Sequence, residues 1–183
     1  MQLLFNHLQR RYMKLGMLML REGFEVVHTD QSSDSVLRNL FEFYLHDLAE
    51  WFKFDQLPDG RYTQSTDPYW QNGHDVYLLY AAEIPVGFAL LGPAETSVDT
   101  KDMHEFFVVR RHRREGIGQE FAEHTWRLHP GPWLVRVYSA NEPAVPFWRK
   151  AISEFTGGDY LEEIHRRGEH PWSYFSFESQ GGH

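Results

Sequence analysis

The segment FFVVRRHRREGIGQEFA at residues 106–122 opens with four apolar residues of high β propensity, the mark of a buried strand. The next five positions, Arg110, Arg111, His112, Arg113 and Arg114, are all basic or imidazole. Gly116 and Gly118 then begin a run with apolar residues at Ile117, Phe121 and Leu128, which is helical spacing. A strand, a basic turn, glycines and a helix start together make a cradle for a phosphate. Backbone N–H groups in the first turn of a helix have no partner within it and sit at the positive end of its dipole. Glycine lets an anion approach that backbone with no Cβ in the way.

Other nucleotide loops do not fit. A Walker loop needs Gly-x-x-x-x-Gly-Lys-Ser/Thr, and the chain contains no such string. A dinucleotide fingerprint needs a third glycine three residues after Gly118, where Phe121 stands. What remains is Arg113-x-x-Gly116-x-Gly118 directly after a strand. Working outward, WLVRVY at residues 133–138 reads as a further strand. Asn141-Glu142-Pro143-Ala144 follows, with Ala144, Phe147, Trp148, Ala151 and Ile152 on one helix face. By itself Asn141 reads equally as a helix N-cap, and the arginines as a solvated turn.

The two motifs together resemble those of the GNAT acetyltransferase superfamily. Its pyrophosphate-binding signature is Arg/Gln-x-x-Gly-x-Gly/Ala, and its second motif is a strand followed by Asn-x-x-Ala and an aromatic pair on a helix. The resemblance covers about residues 24–178. It implies an α+β fold: a central mixed, mostly antiparallel, splayed sheet of six to seven strands flanked by about four helices. It also implies transfer of an acetyl group from acetyl-CoA, as co-substrate, to a primary amine by direct attack in a ternary complex. Strand residues Phe107, Val108 and Val109 would pair with the pantetheine arm. Arg113, Arg114, Gly116, Ile117, Gly118, Gln119 and Asn141 complete the expected cofactor site. On the same strand, Asp102, His104 and Glu105 are the candidate bases, with Glu105 favoured and His104 second. Strict alternation puts Asp102 and His104 on one face and Glu105 on the other. Many superfamily members carry a tyrosine acid where Trp148 stands here, and an indole donates no proton near neutral pH. Tyr138 is the substitute acid, and a non-catalytic acyl-CoA-binding domain is the alternative function.

Bulk properties narrow the field. The chain has 183 residues, 42% of them hydrophobic, enough for one well-packed domain. Its 26 acidic and 18 basic residues give a net charge of −8, which argues against a nucleic-acid partner. Without cysteine it forms no disulfide and uses no thiol of its own. Eleven histidines fall in no recognisable ligand spacing, so no metal is expected. The longest uncharged apolar run near the start, residues 15–20, is too short to span a bilayer. Residues 1–22 therefore read as an N-terminal extension, an extra amphipathic helix or sequence upstream of the natural start, ahead of a single domain at 23–183. A cytoplasmic location is the default, with no membrane partner, and a homodimer is left open.

Along the domain the patterns give a strand at 24–28 and a helix carrying Leu37, Leu40, Phe41, Tyr44, Leu48 and Trp51, with Ser32 or Ser33 as its cap. A turn-rich loop at 55–74 follows, then a hairpin at 76–91 turning around Glu83-Ile84-Pro85. After the two motifs, 160–165 and 172–177 read as closing strands. The long loop offers Asp55, Asp59 and Asp67 among Tyr62, Tyr69 and Trp70, which suggests a cationic amine as acceptor, small molecule or peptide, with or without an apolar or aromatic body.

Overall fold

The computed structural model describes residues 17–181. The chain runs β1 (Met17–Arg21), β2 (Phe24–Thr29), α1 (Asp34–Leu48), β3 (Asp75–Ala81), β4 (Ile84–Ala94), β5 (Ser97–Val108), α2 (Ile117–Leu128), β6 (Gly131–Tyr138), α3 (Ala144–Thr156), β7 (Tyr160–Arg167) and β8 (His170–Ser179). The eight strands form one sheet in the order β1-β2-β3-β4-β5-β6-β8-β7, antiparallel except where β5 meets β6. The α+β architecture is as expected, with eight strands and three α-helices among the described residues rather than six to seven and about four.

Each face of the sheet carries its own core. On one, α1 buries Leu37, Leu40, Phe41 and Leu45 against Leu78, Phe88, Leu90 and Phe107. Their spacing of three, four and eight is one helical stripe. On the other, α2 and α3 bury Phe121, Trp126 and Ile152 against Trp133, Val135 and Phe175. Strand alternation explains the split: Phe106 and Val108 pack toward α2 and α3, Phe107 toward α1.

Three local expectations change. Residues 17–21, assigned to an extension, form β1 and pair with β2 from Met17 opposite Val27 to Arg21 opposite Phe24. The expected boundary at residue 23 thus falls inside a hairpin, whose Gly23 takes a φ of 82° that glycine adopts freely. Residues 1–16, where the rest of that extension lies, are outside the described residues. Ser33 precedes α1 but makes no side-chain cap, its hydroxyl lying 2.6 Å from that of Thr29. Asp30 caps instead, accepting from Ser32 N–H at the start of a short 3-10 turn. Finally, the β3–β4 turn sits at Ala82 and Glu83, and Pro85 lies within β4 beside a register shift, where a missing N–H costs the ladder nothing.

Candidate active site

The parallel pairing of β5 and β6 lasts three residues: Lys101 with Trp133, Asp102 with Leu134, Met103 with Val135. Both strands continue, β5 to Val108 and β6 to Tyr138, but apart from one another. Each keeps its other neighbour, β4 and β8, over that stretch, so the sheet opens as a V. The opening begins at a β-bulge. Leu90 and Leu91 are consecutive on β4, yet they oppose Glu105 and Met103, which leaves His104 as an extra residue. A bulge breaks the two-residue alternation. His104 and Glu105, expected on opposite faces, therefore share one: the His104 ring lies 6.3 Å from that of Tyr69, whose hydroxyl donates to Glu105 Oε1 at 3.0 Å.

Beyond the bulge, β5 has an open edge. Val109 N–H donates to Val86 O on β4, and period-two alternation turns Phe107 N–H the same way. The N–H groups of Phe106 and Val108 then face the opening. Of the three strand residues expected to meet the cofactor, only Val108 offers a free donor there, and Phe106 joins it.

The V holds a cavity of about 340 Å3, with His104, Glu105, Arg136, Tyr138, Asn141 and Trp148 among its lining residues. Glu105 is gripped by two hydroxyls, Tyr44 from α1 donating to Oε2 and Tyr69 from the long loop to Oε1. Burial pushes its carboxyl pKa up, and the two tyrosine hydrogen bonds pull it back down. His104 Nε2 lies 3.1 Å from Pro93 O, so that nitrogen carries the proton and Nδ1 is the basic one. Gly92 makes room for this arrangement, since a Cβ there would come within 2.9 Å of His104 and 2.7 Å of His74. Tyr138 Oη is 3.2 Å from His170 Nδ1, and its ring packs at a tilt against Phe52, 4.8 Å between centroids. Trp148 packs edge-on against Phe106, 5.1 Å between centroids.

At the start of α2 the backbone turns sharply into a helix N-terminus. Arg114 and Gly116 both adopt the left-handed region, with φ of 66° and 84°. The first amide of the helix to find a backbone acceptor is Glu120 N–H, on Gly116 O. The N–H groups of Ile117, Gly118 and Gln119 precede it and point out of the helix end. Two side chains expected here are committed elsewhere. Arg113 donates to Val108 O and to Asp47, which also holds Arg110, while Gln119 donates to Glu123 and Glu154. Gln119 is thus left with its backbone N–H. Arg114 is exposed and has no ion-pair partner among the described residues. A Cβ on Gly118 would sit 3.5 Å from Phe147, ordinary contact, so the protein itself tolerates alanine there. Asn141 lines the cavity and accepts from Ala144 N–H at the start of α3, so it is a helix cap as well.

Among the described residues no group of three or more histidine or acidic side chains is arranged to hold a metal. No helix there is long and apolar enough to cross a membrane. Tyr44 looks in sequence like one more apolar-face residue of a helix. Arg136 did carry a signal, as the one charge inside WLVRVY.

A model of the acetyltransferase (GNAT) family matches residues 42–152, more than half of the chain. No protein of curated function matches. Solved structures share the fold at 12% identity. They include a ribosomal L7/L12 alpha-N-protein acetyltransferase in complex with coenzyme A, with a TM-score of 0.61 over 91% of this chain and 99% of that one. The ribosomal-protein-S18-alanine N-acetyltransferase of Escherichia coli gives 0.62 over 87% and 96%. The spermidine N-acetyltransferase of Vibrio cholerae, in complex with CoA and spermine, gives 0.61 over 87% and 97%.

Proposed function

Because the chain belongs to the GNAT family of acetyltransferases, we propose that Glu105 is the general base for direct attack of a primary amine on acetyl-CoA in a ternary complex. The overall activity follows from the family: acetyl-CoA-dependent N-acetyl transfer. The observation that carries the mechanism is the parting of β5 and β6 after three residue pairs. Glu105 stands in the wall of the V, and α2 with its cradle follows β5 in the chain.

The amides at the α2 N-terminus and the Arg114 guanidinium suit the pyrophosphate. Phe106 and Val108 on the open edge suit the pantetheine amides, as in strand addition. An N–H on that edge also faces the region where the acetyl oxygen gains charge as the amine attacks. The amine must be neutral to attack. Glu105 receives its proton directly or through one water, and the amine nitrogen bonds the acetyl carbon as the C–S bond breaks. His104, with Nδ1 as its acceptor, is the second candidate on the same face. The departing thiolate takes a proton from Tyr138 or solvent, since Trp148 offers none.

The test is release of free thiol from acetyl-CoA with a panel of amines. Glu105→Gln keeps the shape and removes the proton acceptor, so kcat should fall by about 10²- to 10⁴-fold while acetyl-CoA affinity holds. Unchanged turnover in Glu105→Gln, with loss in His104→Gln, would transfer the role to His104. Acetyl-CoA binding without thiol release from any amine would favour the non-catalytic alternative.

A further inference from the structure

The wall of the cavity on the side of α1 and β8 is aromatic. Phe52, just beyond α1, has its ring 4.8 Å from Tyr138, 5.9 Å from Phe54 and 6.2 Å from Trp172, nearly parallel to the last. All four residues line the cavity, and Phe52 bridges from the loop after α1 to the far half of the sheet. Resting on the acetyl-transfer reading above, we propose that the acceptor is a small primary monoamine with an aromatic or branched aliphatic body seated among these four rings.

The charges around the slot select against a second cation. Among the described residues Glu105 is the one carboxylate in the lining, against two guanidiniums, Arg136 and Arg167. The nearby acids are already engaged. Arg136 lies 2.7 Å from Asp102 and 3.3 Å from Glu95, and Arg167 lies 2.6 Å from Glu95. The reacting amine has Glu105 to meet. A distal ammonium, as on a polyamine, would meet arginines with no carboxylate left to it. Nor do the loop acids supply one: Asp59 is paired with Arg61 and Asp67 with Arg38, and none of Asp55, Asp59 and Asp67 lines the cavity. The loop carboxylates expected to attract a cationic amine therefore stand outside the slot. The cavity, about 340 Å3, is also at the small end of ligand pockets.

The experiment uses the full chain with saturating acetyl-CoA and follows free thiol. The acceptors are 2-phenylethylamine, tryptamine, spermidine and a short peptide with an N-terminal alanine. The arylethylamines should show kcat/KM at least about tenfold above spermidine and the peptide, a preference equivalent to one well-packed ring. Phe52→Ala should raise KM for 2-phenylethylamine by about tenfold and leave the acetyl-CoA Kd unchanged. Arg167→Glu should narrow the gap by improving spermidine. Preference for spermidine or the peptide, or an unaltered KM in Phe52→Ala, would overturn the aromatic slot while leaving acetyl transfer intact. Acetyl-CoA bound but unreactive toward every acceptor would overturn both, and calorimetry separates that outcome from the others.

Discussion

Glu105 shows how one residue's chemistry is set by groups far from it in sequence. Its carboxyl stands beside two phenylalanines in the chain, and that apolar setting alone would favour the neutral acid. Tyr44 and Tyr69 oppose this, each donating to one oxygen. The net pKa is raised, but by less than burial alone would cause. Tyr69→Phe removes a donor to the ionised form and leaves the ring packing, so the Glu105 pKa should climb further. If Glu105 is the base, the acid limb of the pH profile of kcat/KM then moves to higher pH, with the alkaline plateau kept. A limb that stays in place in Tyr69→Phe would show that this hydroxyl does not govern the base. Glu105 and the paired glycines could be singled out as candidates from the sequence because the pattern that marks them is contiguous along it. Tyr44 and Tyr69 were not: only the packing of α1 and the long loop over β5 turns two ordinary aromatics into hydrogen-bond donors.

Strands and helices were readable to the extent that periodicity marks them, and the failures fall where periodicity is interrupted. The bulge at His104 adds one residue to β5 with no turn residue or glycine to announce it, so strict alternation assigned His104 and Glu105 to different faces. At the start of the chain the difficulty is reversed, because MLMLR carries no alternation and its pairing with β2 depends on the partner strand. β1 is the outer edge of the sheet, yet Leu20 packs on the α2-side core and Arg21 reaches Glu120 at 3.4 Å. A chain beginning at Glu22 should therefore lose stability, by about 1–3 kcal/mol, an ordinary loss for a partly buried contact set. It should keep its acetyl-CoA affinity, since the cradle belongs to β5 and α2. Urea denaturation and calorimetry on the shortened chain check both halves. A loss of affinity in a folded shortened chain would mean that β1 braces the cradle through α2.

At the scale of the molecule, the same opening that makes the site divides the sheet into two halves joined by three parallel residue pairs. A charged clasp crosses that joint. Asp102, with no exposed surface, belongs to the middle pair, and Arg136 follows the last one on the facing strand. Arg136 Nη2 stands 2.7 Å from Asp102 Oδ2 without hydrogen-bond alignment, an ion pair held by charge and packing. Through Glu95 the clasp extends from the β4–β5 turn to Arg167 on β7. Burial raises the Asp102 pKa, and Arg136 is the main group pulling it down. Arg136→Met keeps most of the packing but leaves the carboxylate without its counter-charge, a change that costs about 3–5 kcal/mol in buried pairs. The pH dependence has a definite sign. A carboxyl whose folded pKa lies above its unfolded value stabilises the fold at low pH, and that contribution is lost as pH rises through the folded pKa. Removing Arg136 raises the folded pKa further, so the deficit relative to the parent should be larger at pH 8 than at pH 5, where protonation relieves the stranded charge. Urea unfolding of both proteins at the two pH values reads this directly. Equal deficits would mean that Asp102 is not the charge Arg136 neutralises, and that the joint between the half-sheets rests on the packing of Met103 and Val135 alone.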